Sequence, residues 1–124
     1  MSKDRTILII DDIEENLEIL ERQLVTAGFN VQSANDGPKG LHILKEEHID
    51  LVLLDINMPI IDGVTLLSNI KKDKSIAHIP VIMVTANDEA KMALTCLKKG
   101  ACGYIAKPYS MKQINQQIDH CFNK

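Results

Sequence analysis

The chain has 124 residues, of which 45% are hydrophobic, 25% charged and only 3% aromatic, and its net charge is −3. This size is typical of one domain with a core built from aliphatic side chains. The charge argues against nucleic-acid binding, and no apolar stretch approaches the ~20 residues of a membrane helix. We expect one domain over residues 1–124 in the cytoplasm, with no membrane segment and no direct nucleic-acid contact.

The three cysteines, Cys96, Cys102 and Cys121, are an odd number without the spacing of metal ligands. We therefore expect them to be buried free thiols in a reducing cytoplasm.

Short apolar runs alternate with amphipathic stretches of helical length from end to end. In chain order the sequence predicts a strand over 7–10, a helix between Asp12 and Gly28, a strand over 30–34, a helix over 37–47, a strand over 51–54, a helix after Gly63, a strand over 81–84, a helix over 87–99 with Ala90, Leu94 and Leu97 facing inward, a strand over 101–106 and a helix over 111–121. The 30–34 run is the least apolar, which favours the sheet edge. Repeated βα alternation predicts a doubly wound, five-stranded parallel sheet with helices on both faces.

Four of the predicted strands are followed by polar residues. Asp11 and Asp12 follow the first strand, Asp55 the third, Thr85 the fourth and Lys107 the fifth. Because the carboxyl ends of parallel strands share one edge, and ligands bind there, we expect these side chains to converge.

Single residues of this group allow simpler interpretations. Asp12 could cap the following helix, with Glu15 completing a capping box, and Asp55 could be a turn residue. Together, however, three neighbouring carboxylates repel one another and require a cation, and oxygen ligands favour Mg²⁺. Lys107 and Thr85 would then contact a phosphoryl group, with Asp55 as the nucleophile that accepts it.

Four motifs resemble those of the receiver (CheY-like) domain of two-component response regulators. They are Ile-Leu-Ile-Ile-Asp-Asp at 7–12, Leu-Asp-Ile-Asn-Met-Pro at 54–59 with Asp62-Gly63, Val84-Thr85-Ala86, and Tyr104-Ile105-Ala106-Lys107-Pro108. The order and spacing of all four are specific, and the likeness extends over essentially the whole chain. The resemblance implies a flavodoxin-like (βα)5 fold with strand order 2-1-3-4-5.

The resemblance also implies a role for each site residue. Asp55 accepts a phosphoryl group from a histidine kinase or a His-containing phosphotransfer protein. Mg²⁺ is bound by Asp12, Asp55 and the backbone carbonyl of Asn57, with Asp11 acting mainly through water. Thr85 and Lys107 contact the phosphoryl oxygens, and the Lys107–Pro108 peptide bond is cis.

The resemblance further implies a conformational switch, in which Thr85 moves towards the phosphate and Tyr104 turns inward. The surface formed by the fourth helix, fifth strand and fifth helix then changes its preference for a downstream protein or output domain. That surface could also form a homodimer. The chemistry would be limited to phosphorylation of the chain itself and hydrolysis of its own phosphate, so we do not expect an enzyme.

Three other functions fit parts of the pattern. A phosphatase of the haloacid dehalogenase type would need a second acid two residues after Asp55, where Asn57 stands. A flavodoxin-like cofactor site would need a hydroxyl-rich loop after the first strand, which the sequence lacks. A receiver-like interaction domain that is never phosphorylated remains the alternative, although such a domain has no need to hold three repelling carboxylates together.

Overall fold

A computed structural model of the protein describes residues 5–56, 58, 62–85 and 90–123. Within these residues, strands and helices alternate as the sequence predicts. The elements are β1 (Thr6–Ile10), α1 (Glu14–Thr26), β2 (Asn30–Ala34), α2 (Gly37–Glu46), β3 (Leu51–Asp55), α3 (Gly63–Lys72), β4 (Val81–Thr85), α4 (Ala90–Lys98), β5 (Gly103–Ala106) and α5 (Met111–Phe122). The fifth strand begins at Gly103, two residues later than the predicted strand over 101–106.

The five strands form one parallel sheet in the order β2-β1-β3-β4-β5. This arrangement confirms the predicted fold class and the strand order that the resemblance implies. β2 lies at one edge, as its weaker apolar character predicts, and three of its five residues are exposed. All five strands end at the same edge of the sheet, which places the residues that follow them near one another.

Apolar side chains are buried on both faces of the sheet. Leu17, Leu20 and Leu24 of α1 and Ile114 and Ile118 of α5 pack on one face. The opposite face is covered by buried side chains of the other three helices, namely Leu44, Leu66, Leu67, Ile70 and Cys96. Full burial of one Leu or Ile contributes about 1.5–3 kcal/mol, so these two layers stabilise the packing of the helices on the sheet.

Local signals fix several helix ends. The carboxylates of Asp36 and Asp62 accept hydrogen bonds from Lys39 N and Thr65 N, both at 2.8 Å, at the starts of α2 and α3. Ser110 forms a capping box with Gln113 at the start of α5. Gly28, which follows α1, has a φ of 102°, a conformation that glycine adopts without strain.

The predicted orientation of the fourth helix is wrong. Leu94 and Leu97 of α4 are 54% and 47% exposed, whereas Cys96 between them is fully buried. Successive helical residues are 100° apart, so an inward Cys96 turns Leu97 by one step and Leu94 by two steps away from the core. The side chain of Ala90 lies outside the described residues.

The prediction of three free thiols is also wrong. Cys102, just before β5, and Cys121, in the last turn of α5, form a disulfide with a Cα–Cα distance of 5.9 Å. Cys96 is free and buried. Close by, the guanidinium carbon of Arg5 lies 3.9 Å from the centre of the Phe122 ring. None of the described helices has the length and apolar character needed to cross a membrane.

Candidate phosphoryl-transfer site

Three carboxylates meet at the edge where the strands end. Asp11 directly follows β1, Asp12 is the next residue, and Asp55 is the last residue of β3. One oxygen of each lies within 4.8 Å of the others, in an arrangement that could hold a metal ion. Asp11 and Asp55 are only 6% and 5% exposed, and Asp12 is the most accessible of the three. Charges this close repel one another strongly where solvent screening is reduced.

Lys107 supplies positive charge to this cluster. Its Nζ lies 3.6 Å from Asp11 Oδ2 and 3.9 Å from Asp55 Oδ2. Its backbone is tied to β4, because Lys107 N donates to Thr85 O at 2.6 Å. The Lys107–Pro108 peptide bond is cis, as the resemblance implies. One ammonium group offsets one of the three carboxylate charges. The cluster formed by Asp11, Asp12, Asp55 and Lys107 therefore keeps a net negative charge.

Asp11 is held by its neighbours and does not turn freely. Ile13 N donates to Asp11 Oδ1 at 2.9 Å, and Asn16 Nδ2 donates to Asp11 Oδ2 at 3.3 Å. The sequence did not single out Asn16 for this contact. The residue belongs to a helical stretch, and only its place within two turns of Asp11 could have suggested the pairing.

The capping interpretation of Asp12 is wrong. α1 begins at Glu14 with Ile13 as its N-cap residue, and no side chain forms the cap hydrogen bond. The carboxylate of Asp12 is therefore not committed to the start of the helix, and it lies with Asp11 and Asp55.

Thr85 and Tyr104 lie on neighbouring strands. Thr85 is the last residue of β4 and is 3% exposed. In the β4–β5 register Thr85 pairs with Ala106 and Met83 pairs with Tyr104. Paired residues point to the same face of a sheet, and alternate residues share that face, so Thr85 and Tyr104 lie on the same side. Tyr104 is partly buried there against the core.

Tyr109 is a second site neighbour that the sequence analysis missed. Burial raises the pKa of its phenol, and the negative charges of Asp11 and Asp55 raise it further. The phenol therefore lies close enough to Asp11 and Asp55 for their charges to oppose its ionisation. Its position directly after Lys107-Pro108 is the feature of the sequence that could have indicated that Tyr109 lies near the site.

Gly63 allows α3 to begin against the strand that carries Asp55. A Cβ at this position would collide with the backbone of Asp55 and would lie 2.6 Å from Ile56 Cα. Gly63 N also donates to Ile56 O at 2.8 Å. The predicted metal ligand Asn57 lies outside the described residues.

Comparison with known proteins finds a family and several relatives that resemble nearly the whole chain. The family model for the response regulator receiver domain matches residues 7–119. Chemotaxis protein CheY-3 of Vibrio cholerae is 35% identical over 125 residues, which cover 100% of this chain and 96% of that protein. The probable transcriptional regulator ycf27 of Porphyridium aerugineum is 40% identical over 118 residues, which cover 95% of this chain but 48% of the relative.

A solved structure agrees in fold along nearly the whole chain. The CheX–CheY–BeF3–Mg²⁺ complex from Borrelia burgdorferi has a TM-score of 0.89 and 35% sequence identity, and the match covers 97% of this chain and 90% of that one. The sequence matches and the structural match both cover the segments that contain Asp11, Asp12, Asp55 and Lys107.

Proposed function

Since the chain belongs to the family of response regulator receiver domains, we propose that it is a phosphorylation-controlled switch in a two-component system. Asp55 accepts a phosphoryl group from a histidine kinase or a His-containing phosphotransfer protein. The observation that carries the proposal is the meeting of Asp11, Asp12 and Asp55 within 4.8 Å, with the Lys107 ammonium beside two of them.

The residues present fit a magnesium ion. Three carboxylates offer hard oxygen ligands, and their excess negative charge favours a divalent cation. Asp12 and Asp55 would hold the ion together with the backbone carbonyl of Asn57, and Asp11 would act mainly through water. When bound, the ion supplies positive charge that offsets the charge of the phosphoryl oxygens. A similar solved protein is described as a complex with BeF3 and Mg²⁺.

Phosphoryl transfer requires little from the protein beyond position and charge. A carboxylate oxygen of Asp55 attacks the phosphorus atom, and the bond between phosphorus and the histidine nitrogen of the donor breaks. The electron pair of that bond returns to the donor imidazole. The Lys107 ammonium and the Thr85 hydroxyl stabilise the phosphoryl oxygens. Hydrolysis of the chain's own phosphate completes its chemistry, so it acts as a switch and not as an enzyme with an external product.

The new charge also explains the switch. Phosphorylation adds about −1.5 to −2 charge and three acceptor oxygens, which attract the Lys107 ammonium and the Thr85 hydroxyl. Because Tyr104 shares a face of the sheet with Thr85, movement of Thr85 changes the space into which Tyr104 turns. The surface of α4, β5 and α5 then alters its affinity for a cytoplasmic partner, an output domain or a second copy of the chain.

The proposal is tested by incubation of the purified protein with acetyl phosphate and Mg²⁺, followed by intact mass measurement. We expect an adduct of about 80 Da that requires Mg²⁺, survives acid and is lost in alkali. The adduct is absent from Asp55→Asn. The matched control is Asp119→Asn, the same chemical change at an exposed position of α5, which keeps the adduct.

If the folded protein forms no adduct at any Mg²⁺ concentration, the phosphorylation proposal is wrong and the chain acts as an unphosphorylated interaction domain. Repeated turnover of a phosphomonoester would instead indicate a phosphatase.

A further inference from the structure

The disulfide between Cys102 and Cys121 joins the start of β5, the strand that contains Tyr104, to the end of α5. Cys102 directly precedes β5, and Cys121 lies in the last turn of α5, 19 positions later. The closed loop therefore contains the whole of β5, the Lys107–Pro108 bond and nearly all of α5. No residue of the acidic cluster other than Lys107 belongs to it.

The two cysteines are held close by contacts that do not involve sulfur. Cys102 N donates to Val81 O at 2.8 Å. Ile114 and Ile118, which are 1% and 0% exposed, fix α5 on the sheet, and the Arg5 guanidinium covers the Phe122 ring beside Cys121. Two thiols at these positions would thus remain neighbours, and the Cα–Cα distance of 5.9 Å lies within the range that a disulfide spans without backbone movement.

The third cysteine differs from this pair in both access and position. Cys96 has no exposed surface and packs on the opposite face of the sheet, and burial raises the pKa of its thiol. Cys102 is partly buried and Cys121 is buried, so Cys102 is the most exposed of the three cysteines. We therefore expect oxidation to begin at Cys102, to close the pair and to leave Cys96 as a thiol.

We propose that Cys102 and Cys121 are a reversible redox site that exchanges with a low-molecular-weight disulfide such as oxidised glutathione, and that its state controls how firmly the end of α5 is held on the sheet. The inference does not depend on phosphorylation of Asp55. It adds a second input to the segment that carries Lys107, β5 and α5.

The exchange proceeds in two balanced steps. The Cys102 thiolate attacks one sulfur of the small disulfide, which forms a mixed disulfide and releases one small thiolate. The Cys121 thiolate then attacks the Cys102 sulfur, which forms the internal bond and releases the second small thiolate. The two protein thiols lose two electrons to the small disulfide, and their two protons pass to the released thiols.

The test uses the full chain in anaerobic buffers with varied ratios of reduced to oxidised glutathione. Samples are quenched in acid, unfolded and alkylated, and the mass of the intact protein is measured by mass spectrometry. We expect three alkylated cysteines at the reducing end and one at the oxidising end, which peptide mapping assigns to Cys96. Circular dichroism at the most reducing and the most oxidising ratio is expected to show a folded protein.

A second readout separates redox control from a passive bond. Amide hydrogen exchange over residues 118–122 is expected to be roughly tenfold slower in the oxidised protein than in the reduced protein. Cys96→Ala keeps the transition and the difference in exchange, whereas Cys102→Ser and Cys121→Ser lose both. The wild-type protein in its two states provides the same comparison if a variant does not fold.

Three results would overturn the proposal. The first is a pair that stays oxidised, or stays reduced, at every ratio at which the protein is folded. The second is an internal disulfide that involves Cys96. The third is equal hydrogen exchange in the two states.

Discussion

Single residues at the ends of strands determine the charge of the candidate site. Three negative charges lie within 4.8 Å of one another, on Asp11, Asp12 and Asp55, and Lys107 adds one positive charge beside them. The sequence predicted this convergence because parallel strands end at a common edge. It could not predict the hydrogen bond from Asn16 to Asp11 or the effect of the carboxylates on Tyr109, since one amide or one phenol near the cluster carries no periodic signal.

The crowding of carboxylates predicts that one of them lowers stability when no metal is present. Asp12→Asn should raise the free energy of unfolding by about 1 kcal/mol in buffer with a chelator, a value reduced by the solvent access of Asp12. The same variant should lose most of the stabilisation that Mg²⁺ gives the wild type. Urea unfolding with and without Mg²⁺ measures both effects.

Asp119→Asn is the matched control for this change, because it removes an equal charge from an exposed position away from the cluster. We expect it to leave the response to Mg²⁺ intact. A loss of stability in Asp12→Asn without metal would show that repulsion within the cluster is not significant.

At the scale of elements, the apolar pattern predicted the order and approximate bounds of the strands and helices, but it did not fix the rotation of each helix. In α4 the apolar pattern predicts that Leu94 and Leu97 face inward, yet Cys96 packs in the core and both leucines are exposed. A short helix with apolar residues around its circumference supports more than one orientation. Packing against the sheet then decides which one is adopted.

The start of α3 should tolerate no side chain at Gly63. Gly63→Ala is expected to lower the free energy of unfolding by about 1–3 kcal/mol, because the new Cβ meets the rigid backbone of Asp55 and Ile56. Gly103→Ala is the control, since its Cβ meets the Oε1 end of Gln117, a flexible side chain that can move away. Chemical denaturation of both variants measures the difference, and equal costs would contradict the explanation.

Asp73, the C-cap residue of α3, gives stability a defined dependence on pH. Hydrogen bonds from the Ser75 hydroxyl and amide, together with Lys45, hold the pKa of the Asp73 carboxyl below its ordinary value of 3.8. A lowered pKa in the folded state means that the unfolded chain binds the proton more readily. The stabilisation is therefore complete above 3.8 and is lost as the pH falls through the folded-state pKa.

Asp73→Asn keeps the shape of the side chain and removes its charge. We expect it to be less stable than the wild type at neutral pH, with a difference that shrinks as the pH falls below 3.8. Urea unfolding across this range measures the trend, and Ser75→Ala should reproduce part of it. A difference that stays constant with pH would show that the Asp73 charge is not responsible.

At the scale of the whole molecule, the βα alternation predicted the architecture because strands buried on both faces have a distinctive, continuous apolar character. It did not predict the pairing of Cys102 with Cys121 or of Arg5 with Phe122. These contacts join distant parts of the chain, and they depend on how α5 lies across the sheet. Spacing along the sequence carries no record of that docking.

The contact between Arg5 and Phe122 has a consequence for how this domain can be tethered. Arg5 precedes the first strand, and Phe122 ends a helix that runs back from the carboxylate edge, so both lie at the opposite side of the sheet. Arg5 and Phe122 therefore lie about one strand length, roughly 17 Å, from the carboxylates. A fusion partner that stays on this side of the sheet should leave the entrance for a phosphodonor open.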